Sequence, residues 1–181
     1  KNLHHHKVVS LVEISVYHNL LITSVPNNML YIWDYEFARL IAIIQTAETS
    51  EFNCVHFVNG YSVLIITETN GKVHFLNFTR RESSYISFYR LASMSFEEGT
   101  FVTKILSHFP GEQEDLSSKF YFATNQGDVK SFKTSSFFKL ENLKKIPHAN
   151  QKSNYNADRM ANEDFFNSLK TSELVIVQIN E

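Results

Sequence analysis

Leu20-Leu21-Ile22-Thr23, Pro26-Asn27-Asn28 and Leu30-Tyr31-Ile32-Trp33 follow one another as two apolar runs around a short polar turn. The runs are rich in β-branched and aromatic residues, which suit a pleated, half-buried strand. The turn chemistry supplies the positive backbone dihedrals that a two-residue hairpin turn needs, so the stretch predicts a β-hairpin. The pattern occurs twice more. Val63-Leu64-Ile65-Ile66 leads through Thr69-Asn70-Gly71 to Val73-His74-Phe75-Leu76. Phe120-Tyr121-Phe122-Ala123 leads through Asn125-Gln126-Gly127 to Val129-Lys130-Ser131-Phe132.

Aligned on the turn residues Asn28, Gly71 and Gly127, the fifth residue onward is Trp33, Leu76 and Phe132, at spacings of 43 and 56. A period of about 40–45 residues with four short strands per unit is the spacing of WD-type propeller blades. The longer second spacing calls for an insertion, and residues 109–119 form a polar loop of the right kind. Innermost strands are expected at Leu11–Val16, Cys54–Val58 and Phe101–Leu106, and outermost strands at Arg39–Ile44 and Tyr85–Leu91. The third outermost strand is delayed to Leu174–Ile179 by a polar insertion at 134–172. Within that insertion Ala157, Ala161, Phe165 and Leu169 recur every four residues and predict one amphipathic helix. The expected fold is all-β: a partial propeller of about three four-stranded blades, near 10–48, 52–92 and 100–181, with a helical or irregular insertion in the last.

Composition narrows the function classes. The chain has 181 residues, enough for a sizeable core, and its 43% hydrophobic content is that of a globular protein rather than a disordered one. Aromatic residues reach 14%, with 16 Phe and 8 Tyr, in keeping with a strand-rich chain. Net charge is -2, and the basic runs are as short as Arg80-Arg81 and Lys144-Lys145, so no nucleic-acid footprint is present. No stretch approaches the roughly 18 apolar residues that a membrane-spanning helix needs. The single cysteine, Cys54, excludes an internal disulfide framework and is the usage of a reducing compartment. The amino end has neither Met nor a signal-peptide pattern, and the carboxy end stops inside a strand-like run. The chain therefore reads as an excerpt of a longer protein. Three units cannot close a propeller of four to eight blades, so the remaining blades are expected from that longer chain.

Tyr31-Ile32-Trp33-Asp34, at the end of a hairpin and before a further strand, resembles the Trp-Asp signature of WD-repeat propellers. The resemblance implies that Trp33 packs between blades and that Asp34 ends the third strand. The second unit has Leu76-Asn77 and the third Phe132-Lys133 at the same place, and no Gly-His pair precedes the first strands. The run from Ile14 to Thr23, continuing through Ile32-Trp33-Asp34-Tyr35-Glu36-Phe37, is similar to WD-repeat proteins of motile cilia that often carry EF-hands. That likeness implies a structural role on the axoneme, with axonemal or microtubule-associated protein partners and a cytoskeletal location. No EF-hand loop pattern occurs in this chain.

Each candidate chemical site has a plainer reading that fits better. His4-His5-His6 cannot present three ligands to one ion from a strand, because side chains alternate. Cys54, His56 and His74 lack zinc-type spacing, which favours ordinary sheet residues. Asn77-Phe78-Thr79 matches a glycosylation sequon but sits at a strand end with no secretory signal. Asp34 is better suited to accept hydrogen bonds from a neighbouring turn than to act as an acid. No nucleophile elbow or phosphate-binding glycine loop occurs, and five glycines leave little room for one. No catalytic residue, cofactor or metal is expected. Phe137, Phe138, Phe165 and Phe166 carry apolar rings that are costly to leave in water, so they are expected to fold back on a blade or to touch a partner. The function expected is protein-binding scaffolding. The alternatives are a trafficking or signalling adaptor and, in another class, a propeller hydrolase or ligand-binding domain.

Overall fold

The computed structural model describes residues 12–15, 18–25, 28–46, 50–58, 60–81, 85–109, 118–139, 143 and 175–179. The first sheet contains β1 (Val12–Ser15), β2 (Leu20–Val25), β3 (Met29–Asp34) and β4 (Arg39–Thr46). The second contains β5 (Phe52–Val58), β6 (Val63–Glu68), β7 (Lys72–Arg81) and β8 (Tyr85–Ser95). β9 (Val102–His108), β10 (Lys119–Thr124) and β11 (Val129–Lys133) form the third, and a single 3-10 turn, Thr134–Ser136, follows β11. β12 (Val175–Ile179) lies at the far end of the chain. Within each sheet, strands consecutive in sequence pair antiparallel, as local hairpins do.

The hairpin loops are one residue longer than expected. Three residues separate β2 from β3 and β6 from β7, and Gly71 N–H donates to Glu68 C=O at 3.0 Å. In the third, Thr124 N–H donates to Asp128 C=O at 3.0 Å and Gly127 N–H to Thr124 C=O at 3.1 Å. The positive φ falls on the third loop residue in every case: 57° at Asn28, 86° at Gly71 and 83° at Gly127. A two-residue turn needs positive φ at both central positions, whereas a type I turn followed by one left-handed residue needs it once. Asn70 is not among the positive-φ residues, which settles the loop as the second type.

Strand alternation distributes the side chains of the second sheet between two cores. On β6, Leu64 and Ile66 join Leu20, Ile22, Leu30, Ile32 and Ile44 of the first sheet. Val63 and Ile65, their neighbours along the same strand, join Val102, Ile105, Phe120 and Phe122 of the third. β7 repeats the division, with Phe78 in the first core and Val73 and Phe75 in the second. This is the period of two expected of a strand, here buried on both faces because a sheet packs on each side. The innermost strands β1, β5 and β9 lie beside one another in that order. Three antiparallel sheets stacked face to face, with their first strands gathered together, make a partial β-propeller.

Two expectations about the third unit change. Among the described residues the third sheet has three strands, not four. The segment expected as its outermost strand instead pairs parallel with β4, Val175 opposite Ala42 and Ile179 opposite Thr46, as a fifth strand of the first sheet. The physical reason lies in the ladder: an edge offers backbone N–H and C=O groups that carry no sequence information, so any β-branched run can occupy it. The helix expected over Ala157–Leu169 lies outside the described residues.

Candidate functional site

Asn28, Gly71 and Gly127 close the hairpins at one end of the strands, which defines one rim of the stack. Thr69 N–H donates to Glu51 C=O at 2.9 Å, and Glu51 N–H returns a bond to Thr69 Oγ1 at 3.2 Å. Asn125 does the same in the third sheet, donating N–H to Phe101 C=O at 3.0 Å while Oδ1 accepts from Phe101 N–H at 2.9 Å. In both sheets the hairpin turn is thus tied to the residue leading into the innermost strand. Behind the second turn, buried Glu68 accepts from His74 Nε2 at 2.8 Å, from Asn70 Nδ2 at 3.2 Å and from Ser50 Oγ. Burial alone raises the Glu68 pKa, but the bonds from His74 and Ser50, with the His74 charge and the Asn70 bond, outweigh it and hold the carboxyl below its ordinary value. The cluster anchors a turn, with Glu68 and His74 buried and Asn70 at the surface.

The opposite rim is built by the β1–β2 and β3–β4 connections. Asn19, at φ 53°, donates from Nδ2 to Glu36 Oε2 at 2.7 Å, and its C=O and Oδ1 accept from Tyr35 N–H and hydroxyl at 3.1 and 3.2 Å. Buried Asp34 accepts from Phe37 N–H at 3.2 Å. His18 bridges the first two sheets, with Nδ1 2.8 Å from Ser15 Oγ and Nε2 3.4 Å from Ser62 Oγ, and its ring edge-on to Phe78. Tyr35 is 39% exposed on this braced loop. Asn19, Tyr35 and Glu36 were not singled out from sequence. The polar break at Tyr17-His18-Asn19 between two apolar runs is the signal that marks the position.

Trp33, Leu76 and Phe132 occupy equivalent places. Leu76 faces the first core and Phe132 the second, each turned toward the preceding sheet. Trp33 follows Ile32, which faces the first core, so alternation turns it to the other side of the first sheet. There it is buried, stacks on Tyr31 and donates Nε1–H to Thr23 Oγ1 at 2.8 Å. The bulges agree: the register of β3 on β4 shifts at Ile32/Trp33, and that of β7 on β8 shifts at Phe75/Leu76. Asn77 is buried within β7.

Phe137 and Phe138 pack into the second core, and Phe137 stacks on Phe75 at 4.3 Å. They fold back on a blade, one of the two outcomes expected of them, and both stay partly exposed there. Phe165 and Phe166 lie outside the described residues. At the seam of the innermost strands, His56 Nε2 lies 2.9 Å from Ser107 Oγ, and Asn53 Nδ2 donates to Val102 C=O. Burial, with a smaller push from the Lys104 ammonium, lowers the His56 pKa from 6.5 to about 4. Cys54 is a buried free thiol, and no cluster of three metal-ligating side chains occurs among the described residues.

Two solved structures with a related arrangement are the C-terminal WD40 domain of Sif2 and the WD40 domain of SCAP from fission yeast. The first is 12% identical, with a TM-score of 0.45, over 62% of this chain and 30% of that one. The second is 14% identical, with a TM-score of 0.45, over 76% of this chain and 29% of that one. Both are WD40 domains. This chain spans about three tenths of the length of each. No protein-family model matches the sequence, and no curated protein matches it.

Proposed function

We propose that this chain is a protein-binding scaffold that recognises its partner through the rim carrying Asn19, Tyr35 and Glu36. The carrying observation is that an exposed tyrosine is held on a loop braced by side-chain and backbone bonds across two connections. A rigid aromatic anchor loses little conformational entropy on binding, which is why Tyr is enriched where interfaces concentrate their energy. Further blades of a longer chain continue the stack on the side of the first sheet where Trp33 lies. The narrower setting, a ciliary axoneme, is supported by the likeness of residues 14–37 to ciliary WD-repeat proteins.

The test crosslinks the tagged longer protein in cells and compares partners captured by wild type and by Tyr35→Ala with Glu36→Arg. The reading expects discrete protein partners whose capture falls in the variant while its melting curve stays put. Identical capture by both chains removes the rim from the binding surface. Imaging of the tagged protein decides the setting: absence from axonemes rejects the ciliary placement and leaves the scaffold reading in place.

A further inference from the structure

We propose that the outer edge of β4 is a strand-binding site for an extended, β-branched segment of a partner protein, which takes the place that residues 175–179 of this chain hold in the structure. β12 pairs in parallel with β4, from Val175 opposite Ala42 to Ile179 opposite Thr46. Every other strand pair among the described residues is antiparallel and joins strands consecutive in sequence. A fifth strand is not needed to complete a blade. Among the described residues the second sheet ends at β8 with four, and Leu20, Ile22, Leu30, Ile32 and Ile44 of β2–β4 already fill the first core. β12 also lies against β8, so it sits beside the outermost strands of two blades. Blades stack through their faces, whereas this edge points to the circumference, so a further blade neither covers it nor accounts for it.

Edges that must stay unpaired are blunted by charges, prolines or bulges. β8 carries two such devices in its middle: its register on β7 skips Leu91, and exposed Arg90 stands beside the skip, next to Tyr89 at 53% exposure. On β4 the skip falls at Ile41 and the charge at Arg39, both ahead of the paired stretch. Ala42-Ile43-Ile44-Gln45-Thr46 has no charge, proline or bulge, and pairing with β12 begins at the first residue after the skip. Thr46 N–H turns inward to Asn28 C=O at 3.4 Å, so alternation turns the N–H and C=O of Gln45 and Ile43 outward. Such main-chain groups bind any strand that can lie beside them. The occupant, Val-Ile-Val-Gln-Ile, gives the chemistry that fits: uncharged, mostly β-branched and parallel to β4. Parallel pairing is slightly weaker per residue than antiparallel, which suits a strand that yields its place. The site stands on main-chain pairing and not on Tyr35, so failure of the rim reading leaves it untouched.

The experiment titrates the full chain into a labelled peptide with the sequence of residues 173–181, standing in for the partner segment, and follows fluorescence anisotropy. Val177→Pro in the chain removes a ladder donor from the middle of β12 and frees the edge. Because the resting strand keeps most edges filled, this variant should bind the peptide about tenfold or more tighter than the unaltered chain. Adding Gln45→Pro deletes an outward N–H of β4 while sparing its bonds to β3, and should abolish that gain with no further change in the melting curve. A peptide carrying Val177→Pro should bind neither chain. If Val177→Pro unfolds the chain, register replaces affinity as the readout. Gln45→Cys in an otherwise unaltered chain should then crosslink to a peptide bearing Gln178→Cys and not to one bearing Ile176→Cys, which only an antiparallel strand would bring opposite. Equal affinity of the Val177→Pro and unaltered chains would overturn the proposal. So would binding that survives Gln45→Pro, or equal crosslinking at both peptide positions.

Discussion

β6 in the second sheet is buried at every position, whereas β10 in the third alternates between buried and half-buried and β11 has no fully buried residue. Both sheets are built on the same hairpin, turn and bulge plan, so the difference comes from what lies on each side. Among the described residues the second sheet lies between two neighbours and contributes to two cores, whereas the third contributes to one. The sequences show it directly. Val63-Leu64-Ile65-Ile66 is a continuous apolar run, as a strand covered on both faces requires, while Val129-Lys130-Ser131-Phe132 breaks its apolar residues with two polar ones. A blade's place in the stack is therefore written in the side-chain pattern of its middle strands.

The largest expected effect comes from removing the ring that joins the third sheet to the second. Phe75 is fully buried and lies within ring-contact distance of Phe120, Phe122, Phe137 and Phe138. Phe75→Ala should cost about 3–5 kcal/mol, comparable with the whole stability of a small domain. Denaturant titration checks this. A loss near 1 kcal/mol would mean that the two sheets do not depend on this seam for their stability.

Acid should act at the same seam. His56 is neutral in the folded chain down to about pH 4, while the unfolded chain takes up a proton at 6.5. Above pH 6.5 both states are neutral and this group adds no pH dependence. From 6.5 down to about 4 the unfolded state binds a proton that the folded state refuses, so stability falls by up to about 3 kcal/mol. His56→Gln should flatten the stability curve over that window. An unaltered curve would assign the acid sensitivity to other groups. Glu68 acts lower, since its depressed pKa confers stability that is lost only as pH falls below the ordinary carboxylate range.

The equivalent turn glycines sharpen the contrast further. A Cβ at Gly71 would come within 2.5 Å of Thr100 C=O, and Gly71 C=O also accepts from Phe96 N–H at 3.0 Å. At Gly127 a Cβ would meet nothing within 4 Å. Both residues have positive φ, so each Ala variant bears a conformational cost of about 1–2 kcal/mol, and Gly71→Ala adds a backbone clash that brings it to roughly 3 kcal/mol. Equal melting-temperature shifts for the two variants would show that Phe96–Thr100 yields to the new methyl group.

Much of the architecture was legible because strands and hairpins are local. Leu30-Tyr31-Ile32-Trp33 and its two counterparts declare their strands through branched and aromatic side chains, and Asn28, Gly71 and Gly127 mark where the backbone turns left-handed. Loop length was not legible, since Asn70-Gly71 suits a two-residue turn as well as a three-residue loop. Nor was the pairing of β12, because choosing β4 over β11 is a non-local decision between edges. The rim residues Asn19, Tyr35 and Glu36 escaped because their importance lies in bonds between two separate loops. The outward face of the third sheet was not legible either, since Lys104-Ile105-Leu106-Ser107-His108 does not alternate: apolar Leu106 lies outward and Ser107 inward.

That face carries the smallest expected effect and the sharpest test of the comparison. Leu106 is large and apolar, and in a covered blade its truncation would cost several kcal/mol, as it should at Ile65, which with Val63 faces the third sheet from β6. Because Leu106 is 60% exposed, Leu106→Ala should stay within about 0.5 kcal/mol of the unaltered chain by denaturant titration. A cost above about 2 kcal/mol would mean that the side chain is buried in solution, by another part of the chain or by a second copy. Dependence on protein concentration would separate those two, because only association between copies obeys mass action. A near-zero cost would leave Leu106 standing in water, which is the contrast with Ile65 that the two sheets predict.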